Sequence, residues 1–116
     1  MFTQDKLQYP GYSYIRIVNR GGYIADFSLY YIIGKKMYSQ TSPRLELTQS
    51  AKLYIPYNAI DIYLKVKAAI FIDTWSEFYS KTFAKPVTEC YQLTGTFVTP
   101  NCSRITCEGF NNTFLY

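Results

Sequence analysis

Three cysteines and eight carboxylates are the side chains here with the strongest claim to chemistry. The acids are Asp5, Asp26, Glu46, Asp61, Asp73, Glu77, Glu89 and Glu108, and they are scattered along the chain. General acid–base catalysis would need two of them brought together with their proton affinities held apart, and only Asp73 and Glu77 lie close in sequence. Histidine is absent. That removes the usual base near neutral pH, the commonest metal ligand and the partner of an activated serine or cysteine. Cys102 and Cys107 lack the further ligands a zinc site requires. The expectation is a protein that is not an enzyme and that has no cofactor and no metal.

The cysteines instead suggest a structural bridge. In "CYQLTGTFVTPNC", Cys90 and Cys102 flank a turn at Gly95–Pro100. If they face each other across an antiparallel pair, their Cα atoms stand about 5.5 Å apart, which suits a disulfide. Cys107 is then left over, and Cys102–Cys107 is the second pairing to consider. Asn101-Cys102-Ser103 and Asn111-Asn112-Thr113 fit the N-glycosylation acceptor pattern at Asn101 and Asn111. With the bridge, these point to a secreted, extracellular protein seen as a mature form behind an added Met1, since "MFTQDKLQ" carries no apolar signal core.

These side chains must be positioned by one domain, because 116 residues sustain a single core. Residues 1–12 are expected as an N-terminal extension and 108–116 as a flexible tail. Apolar residues make up 48% and charged residues 17%, the balance of a globular chain. The 13 Tyr, 8 Phe and 1 Trp favour half-buried pleated surfaces. The +4 charge suits acidic surfaces such as phospholipid or sialylated glycan, and equally a solvated face. No nucleic-acid motif is present.

Period-two patterning carries the fold class. Ile60, Ile62, Leu64, Val66, Ala68 and Ile70 alternate with Asp61, Tyr63, Lys65, Lys67 and Ala69, so one face is expected in a core. Ile15 and Ile17 oppose Tyr14, Arg16 and Val18. Beyond the Gly21-Gly22 turn, Ala25, Phe27, Leu29 and Tyr31 oppose Ile24, Asp26, Ser28 and Tyr30. Gly34-Lys35 makes a second turn. Leu45 and Leu47 alternate with Glu46 and Thr48, and Leu53 and Ile55 precede Pro56. The pattern breaks over Phe71–Pro86, where an extended excursion or a single helical turn at Trp75–Phe78 is expected. Some eight short strands argue for an all-β, antiparallel, immunoglobulin-like sandwich.

Four stretches resemble the C-terminal immunoglobulin-like domain of the thiol-activated, cholesterol-dependent cytolysins, together covering roughly Tyr14 to Cys102. "GGYIADFSLYY" resembles its opening strand, and "LYIPYNAIDIYLKVKAA" the strand that leads into its Trp-rich undecapeptide. "TWSEFYSKTF" stands in that loop's place. "LTGTFVTP" resembles the loop whose Thr-Leu pair recognises cholesterol, with Phe97-Val98 where that pair would be. The undecapeptide's cysteine and two of its three tryptophans are missing. What the resemblance implies is a membrane-recognition scaffold with altered loops and without the pore-forming domains.

The candidate binding loops therefore carry Trp75, Phe78 and Tyr79 on one side and Thr96, Phe97 and Val98 on the other, with Lys81 near a headgroup-facing or sugar-facing rim. Two placements of Phe97 and Val98 remain open. They pack with Trp75 or Phe78 under a neighbouring loop, or they insert into a bilayer interface or a partner's pocket. Trp75 is open in the same way, between core and interface. The expected partner is a membrane surface, lipid or surface glycan. Two other readings compete: an interaction module, effector or inhibitor, that uses tyrosine-rich strand faces against a protein, and a structural component that self-associates.

Overall fold

The structure, a computed structural model, describes residues 13–71 and 74–107. Among these residues eight strands follow one another: β1 (Ser13–Asn19), β2 (Ala25–Ile33), β3 (Lys36–Thr41), β4 (Ser50–Ile55), β5 (Ile60–Phe71), β6 (Thr74–Phe83), β7 (Glu89–Gly95) and β8 (Pro100–Ile105). They form two four-stranded sheets ordered β4-β1-β7-β8 and β3-β2-β5-β6. The β-sandwich expected from the patterning is the fold, with one qualification: β1 and β7 run parallel, and every other pair is antiparallel.

Alternation decides what each sheet buries. Ile15 and Ile17 on β1, Phe27 and Leu29 on β2, Ile62, Leu64 and Val66 on β5, and Tyr91 and Leu93 on β7 are sealed between the sheets. The outward faces carry Tyr30, Tyr63, Lys65 and Lys67. The β5 run is longer than the core it serves. Its central apolar residues are buried as expected, but Ile60 and Ile70 at its two ends are exposed. Leu45 likewise meets Ala25 only through an isolated bridge, and Leu47 turns out to solvent in place of a strand there.

Residues 74–83 form a strand, so of the two forms open for this stretch the extended one is found and the helical turn is not. A β-bulge explains the lost period. Val66 pairs with Tyr79 and Lys67 with Glu77, so Phe78 is the extra residue. Consecutive residues Phe78 and Tyr79 then both pack on the core, which no two-residue repeat can signal. Lys81 faces inward at this edge, bridging to Glu89 at 3.6 Å, and Arg104 reaches the same carboxylate at 3.5 Å. An inward-pointing charge on an edge strand discourages pairing with another chain.

The disulfide is Cys90–Cys107, with Cα atoms 5.2 Å apart, and Cys102 is free. The expected Cys90–Cys102 bridge fails on register. Cys90 pairs with Ile105 and lies on the outer face, whereas Cys102 pairs with Leu93 and faces the core. The bridge sits with Val18, Tyr14 and Ile105 in a small cluster on the outside of the first sheet.

Asn19 ends β1 and is fully buried. Its side-chain amide donates to the Tyr23 carbonyl at 2.6 Å and the Leu45 carbonyl at 2.9 Å, while its Oδ1 accepts from the Gly21 amide at 2.9 Å. Its backbone accepts from Thr48 and donates to Gln49. Thr48, at φ 74, is held in a strained conformation for a β-branched residue. Asn19→Ala orphans three buried partners and should cost about 2–4 kcal/mol in denaturant unfolding. A loss under about 0.5 kcal/mol would show that the loops do not depend on this side chain.

Candidate functional site

Strand direction places four connections at one end of the sandwich. Ala25 pairs with Ala68, so the start of β2 lies beside the far end of β5 and the Phe71–Thr74 hairpin. Ala25 also meets Leu45 from the β3–β4 connection, and Gly22 meets Thr96 beyond the end of β7. Residues 20–24, 42–49, the β5–β6 tip and 96–99 therefore share one end. β5 runs three residues past Ala68 to Phe71, so its hairpin projects about 10 Å beyond the start of β2.

This end is apolar where a loop cluster would ordinarily be polar. Ile24, Leu47, Ile70, Phe71, Phe97 and Val98 are all exposed there, Phe71 at 76% and Val98 at 72%. Of the two placements open for Phe97 and Val98, the structure shows exposure. The β7–β8 tip turns as tightly as only glycine permits: Gly95 has φ +89, and a Cβ on it would lie 2.3 Å from the Thr99 carbonyl. Beneath the tip, Tyr23 plugs the sandwich end, donating its hydroxyl to the Thr94 carbonyl and meeting Phe78 edge to face at 5.9 Å.

The residues proposed from sequence divide. Trp75, Thr96, Phe97 and Val98 gather at this end. Trp75 is half-buried on the outer face, opposite Ala69, with the Arg44 guanidinium 5.5 Å and the Lys67 ammonium 5.6 Å from its ring centre. Phe78 and Tyr79 do not join them. Both pack inward, Tyr79 against Tyr91 at 5.6 Å, and Lys81 is turned to Glu89. Asn101 lies exposed on β8, opposite Thr94; Asn111 and Asp73 lie outside the described residues. Ile24, Leu47, Ile70, Phe71, Arg44 and Lys67 were missed. The run Ile70-Phe71-Ile72 was the available signal, because it is apolar where a hairpin turn calls for polar residues.

The family is established by comparison. The model of the thiol-activated cytolysin beta sandwich domain matches residues 14–101. The chain belongs to that family. Solved structures agree on the fold. The membrane-binding domain of pneumolysin is 12% identical with a TM-score of 0.64, covering 81% of this chain and 96% of that one. Suilysin from Streptococcus suis is 15% identical with a TM-score of 0.59, covering 81% of this chain and 23% of that one. A disulfide-locked intermedilysin solved with human CD59 is 18% identical with a TM-score of 0.61, covering 81% and 24% respectively. The chain thus spans about a quarter of the length of the whole toxins it resembles. No individually curated protein matches it.

Despite the family's name, the free thiol of this chain is not poised to react. Burial pushes Cys102 up to about 12, so little thiolate exists at neutral pH. Ellman's reagent at pH 8 should label Cys102 at least about a hundredfold more slowly in the folded chain than after denaturation; equal rates would contradict this placement. Asp26 is perturbed as well. Burial raises its carboxyl above the ordinary aspartate value, against the pull of Lys67, Arg44 and Lys65, and its Oδ1 finds no hydrogen-bond donor among the described residues. The folded chain holds this proton more tightly than the unfolded one, so the stability it contributes is full below the unfolded value. That contribution is lost as pH rises through the raised folded value. Asp26→Asn should therefore be at least as stable as the parent at pH 7, with the difference closing as the pH falls toward the ordinary aspartate value. Greater stability of the parent throughout that range would contradict the assignment.

Proposed function

We propose that this domain recognises a membrane surface by seating its four-connection apolar end in the lipid interface. The observation that carries this reading is the convergence of Ile24, Leu47, Ile70, Phe71, Phe97 and Val98, from all four connections, on one exposed end. A core explains none of them, since each remains in water. Transfer of a large apolar side chain contributes about 1.5–3 kcal/mol when complete. Phe71 and Val98, with the half-exposed Phe97 and Leu47, then supply on the order of 5 kcal/mol before the cost of association. That magnitude suits reversible peripheral anchoring.

Kinship supports the same reading. One solved relative is the membrane-binding domain of pneumolysin, and it is matched over nearly its whole length. The loop chemistry differs from the family pattern in that Phe97-Val98 replaces the Thr-Leu pair, so sterol is not assigned as the ligand. The action is non-enzymatic and extracellular in this reading. A protein partner is the second reading, favoured by the exposed Met37 and Tyr38 on edge strand β3 and by a relative solved with human CD59.

Sedimentation with vesicles tests the choice. Phe71→Asp and the double variant Phe97→Asp/Val98→Asp should each lose vesicle binding by at least about tenfold while circular dichroism is unchanged. Met37→Asp, at the opposite end, should bind like the parent. Absence of binding by the parent to phosphatidylcholine vesicles, with or without sterol or anionic lipid, would sink the membrane reading.

A further inference from the structure

Above the apolar tip, the outer face of the second sheet carries a cluster that anchoring by apolar side chains leaves unexplained. Trp75 lies opposite Ala69, two residues back along β5 from Phe71, and so about 7 Å above the hairpin's apolar edge. Arg44, from the 42–49 connection, and Lys67, from β5, both lie against its ring, at 5.5 and 5.6 Å. The cations are unequally engaged. Lys67 has a loose ion pair with Asp26 at 3.9 Å. Glu77, the register partner of Lys67, accepts the Tyr63 hydroxyl at 3.1 Å. The exposed Arg44 has no ion pair or side-chain hydrogen bond among the described residues.

The arrangement has a depth and a chemistry. An amphipathic surface seats its apolar side about 5–10 Å into the boundary between headgroups and acyl chains. Side chains some 7 Å behind that edge then lie at the level of the phosphates. Tryptophan favours this layer, with an apolar ring and an N–H donor. A guanidinium offers a planar fork of donors that matches phosphate, and an ammonium adds a point charge. The Trp75 ring holds both cations on the face that the seated tip would turn to the headgroups.

We propose that Arg44, Lys67 and Trp75 form a headgroup site for the phosphate of an anionic phospholipid, so that the tip anchors while this site selects the lipid class. The site rests on the tip being membrane-seated, and the two ideas fail differently. Lys35 and Lys36, at the β2–β3 turn, provide the control, because they carry the same charge about 25 Å away along β2, beyond the screening length at physiological salt.

The test compares binding to pure phosphatidylcholine vesicles with binding to vesicles containing phosphatidylserine, at physiological salt, for the full chain. The parent should prefer the anionic vesicles. Arg44→Gln/Lys67→Gln should lose that preference by roughly thirtyfold, at about fivefold for each charge near the surface, with a smaller loss on phosphatidylcholine, whose choline cation offsets its phosphate. Lys35→Gln/Lys36→Gln should retain the preference to within about twofold. Loss of preference in both double variants to the same extent would reduce the effect to net charge and overturn the site. A preference for vesicles carrying a sialylated glycolipid, with none for phosphatidylserine, would also overturn it. Failure of the tip reading would be visible separately, as parent binding that survives Phe71→Asp on phosphatidylcholine. Thermal melting is recorded for each Gln variant, so that loss of fold is told apart from loss of selectivity. Arg44→Lys, which keeps the charge but removes the fork, should fall between the parent and the Gln double variant; if it matches the double variant although folded, charge at this position is not what selects.

Discussion

A single buried amide organises the apolar end of the sandwich. Asn19 has no route to water, so each of its polar atoms must be paired inside the protein, and its partners lie on two of the four connections. The side chain ties Gly21 and Tyr23, before β2, to Leu45, after β3. Its backbone holds the strained Thr48 and Gln49. Once Leu45 is fixed it meets Ala25, which sets β2 against β5 at Ala68 and aims the β5–β6 hairpin past the rest of the sandwich. The exposed apolar residues therefore stand on a braced frame. Bracing matters because flexible loops would bury Phe71, Phe97 and Val98 against one another in water, and would pay an ordering cost on reaching a surface.

The two ends of the sandwich divide the labour of the outer face. Near the tip, cations from β5 and the β3–β4 connection lie on Trp75. Farther back, Lys65 lies over Tyr30, which meets Tyr63 at 6.1 Å. Tyr14, Tyr30 and Tyr54 thus serve as pleated surface under lysine side chains, in keeping with the amphipathic ring. At the β6 edge the same composition gives a closed cluster, where Tyr91 donates to Glu89 between Lys81 and Arg104. Burial and the neighbouring carboxylate hold that tyrosine hydroxyl far above its ordinary range.

The sandwich was legible wherever a strand is regular and half-buried. The runs 15–17, 25–31 and 62–68 show their core faces by alternation alone, and Gly34 and Gly95 mark their hairpins. Legibility failed where geometry slips by one residue. The bulge at Phe78 puts two neighbours on one face and erases the period. The bridge was misread for a related reason. Gly95 pairs with Pro100, so the hairpin is centred between Phe97 and Val98, and Cys90 falls opposite Ile105 rather than Cys102. An odd slip in register moves a side chain to the other face. The candidate site was half legible: Phe97 and Val98 stood out as apolar residues in a turn, and Trp75 as the lone indole. Arg44, Leu47 and Ile24 became part of it only through long-range pairing at Ala25, which no local pattern reveals.

The single tryptophan allows the central claim, an apolar end seated at the membrane interface, to be read directly. Trp75 emission would be followed as vesicles are added, using lipids brominated either near the headgroup or deep in the acyl chain. Seating of the tip predicts a blue shift on binding, with shallow bromines quenching Trp75 more strongly than deep ones. Emission that stays unchanged while the protein co-sediments with vesicles would contradict it, because the surface holding the protein would then lie elsewhere.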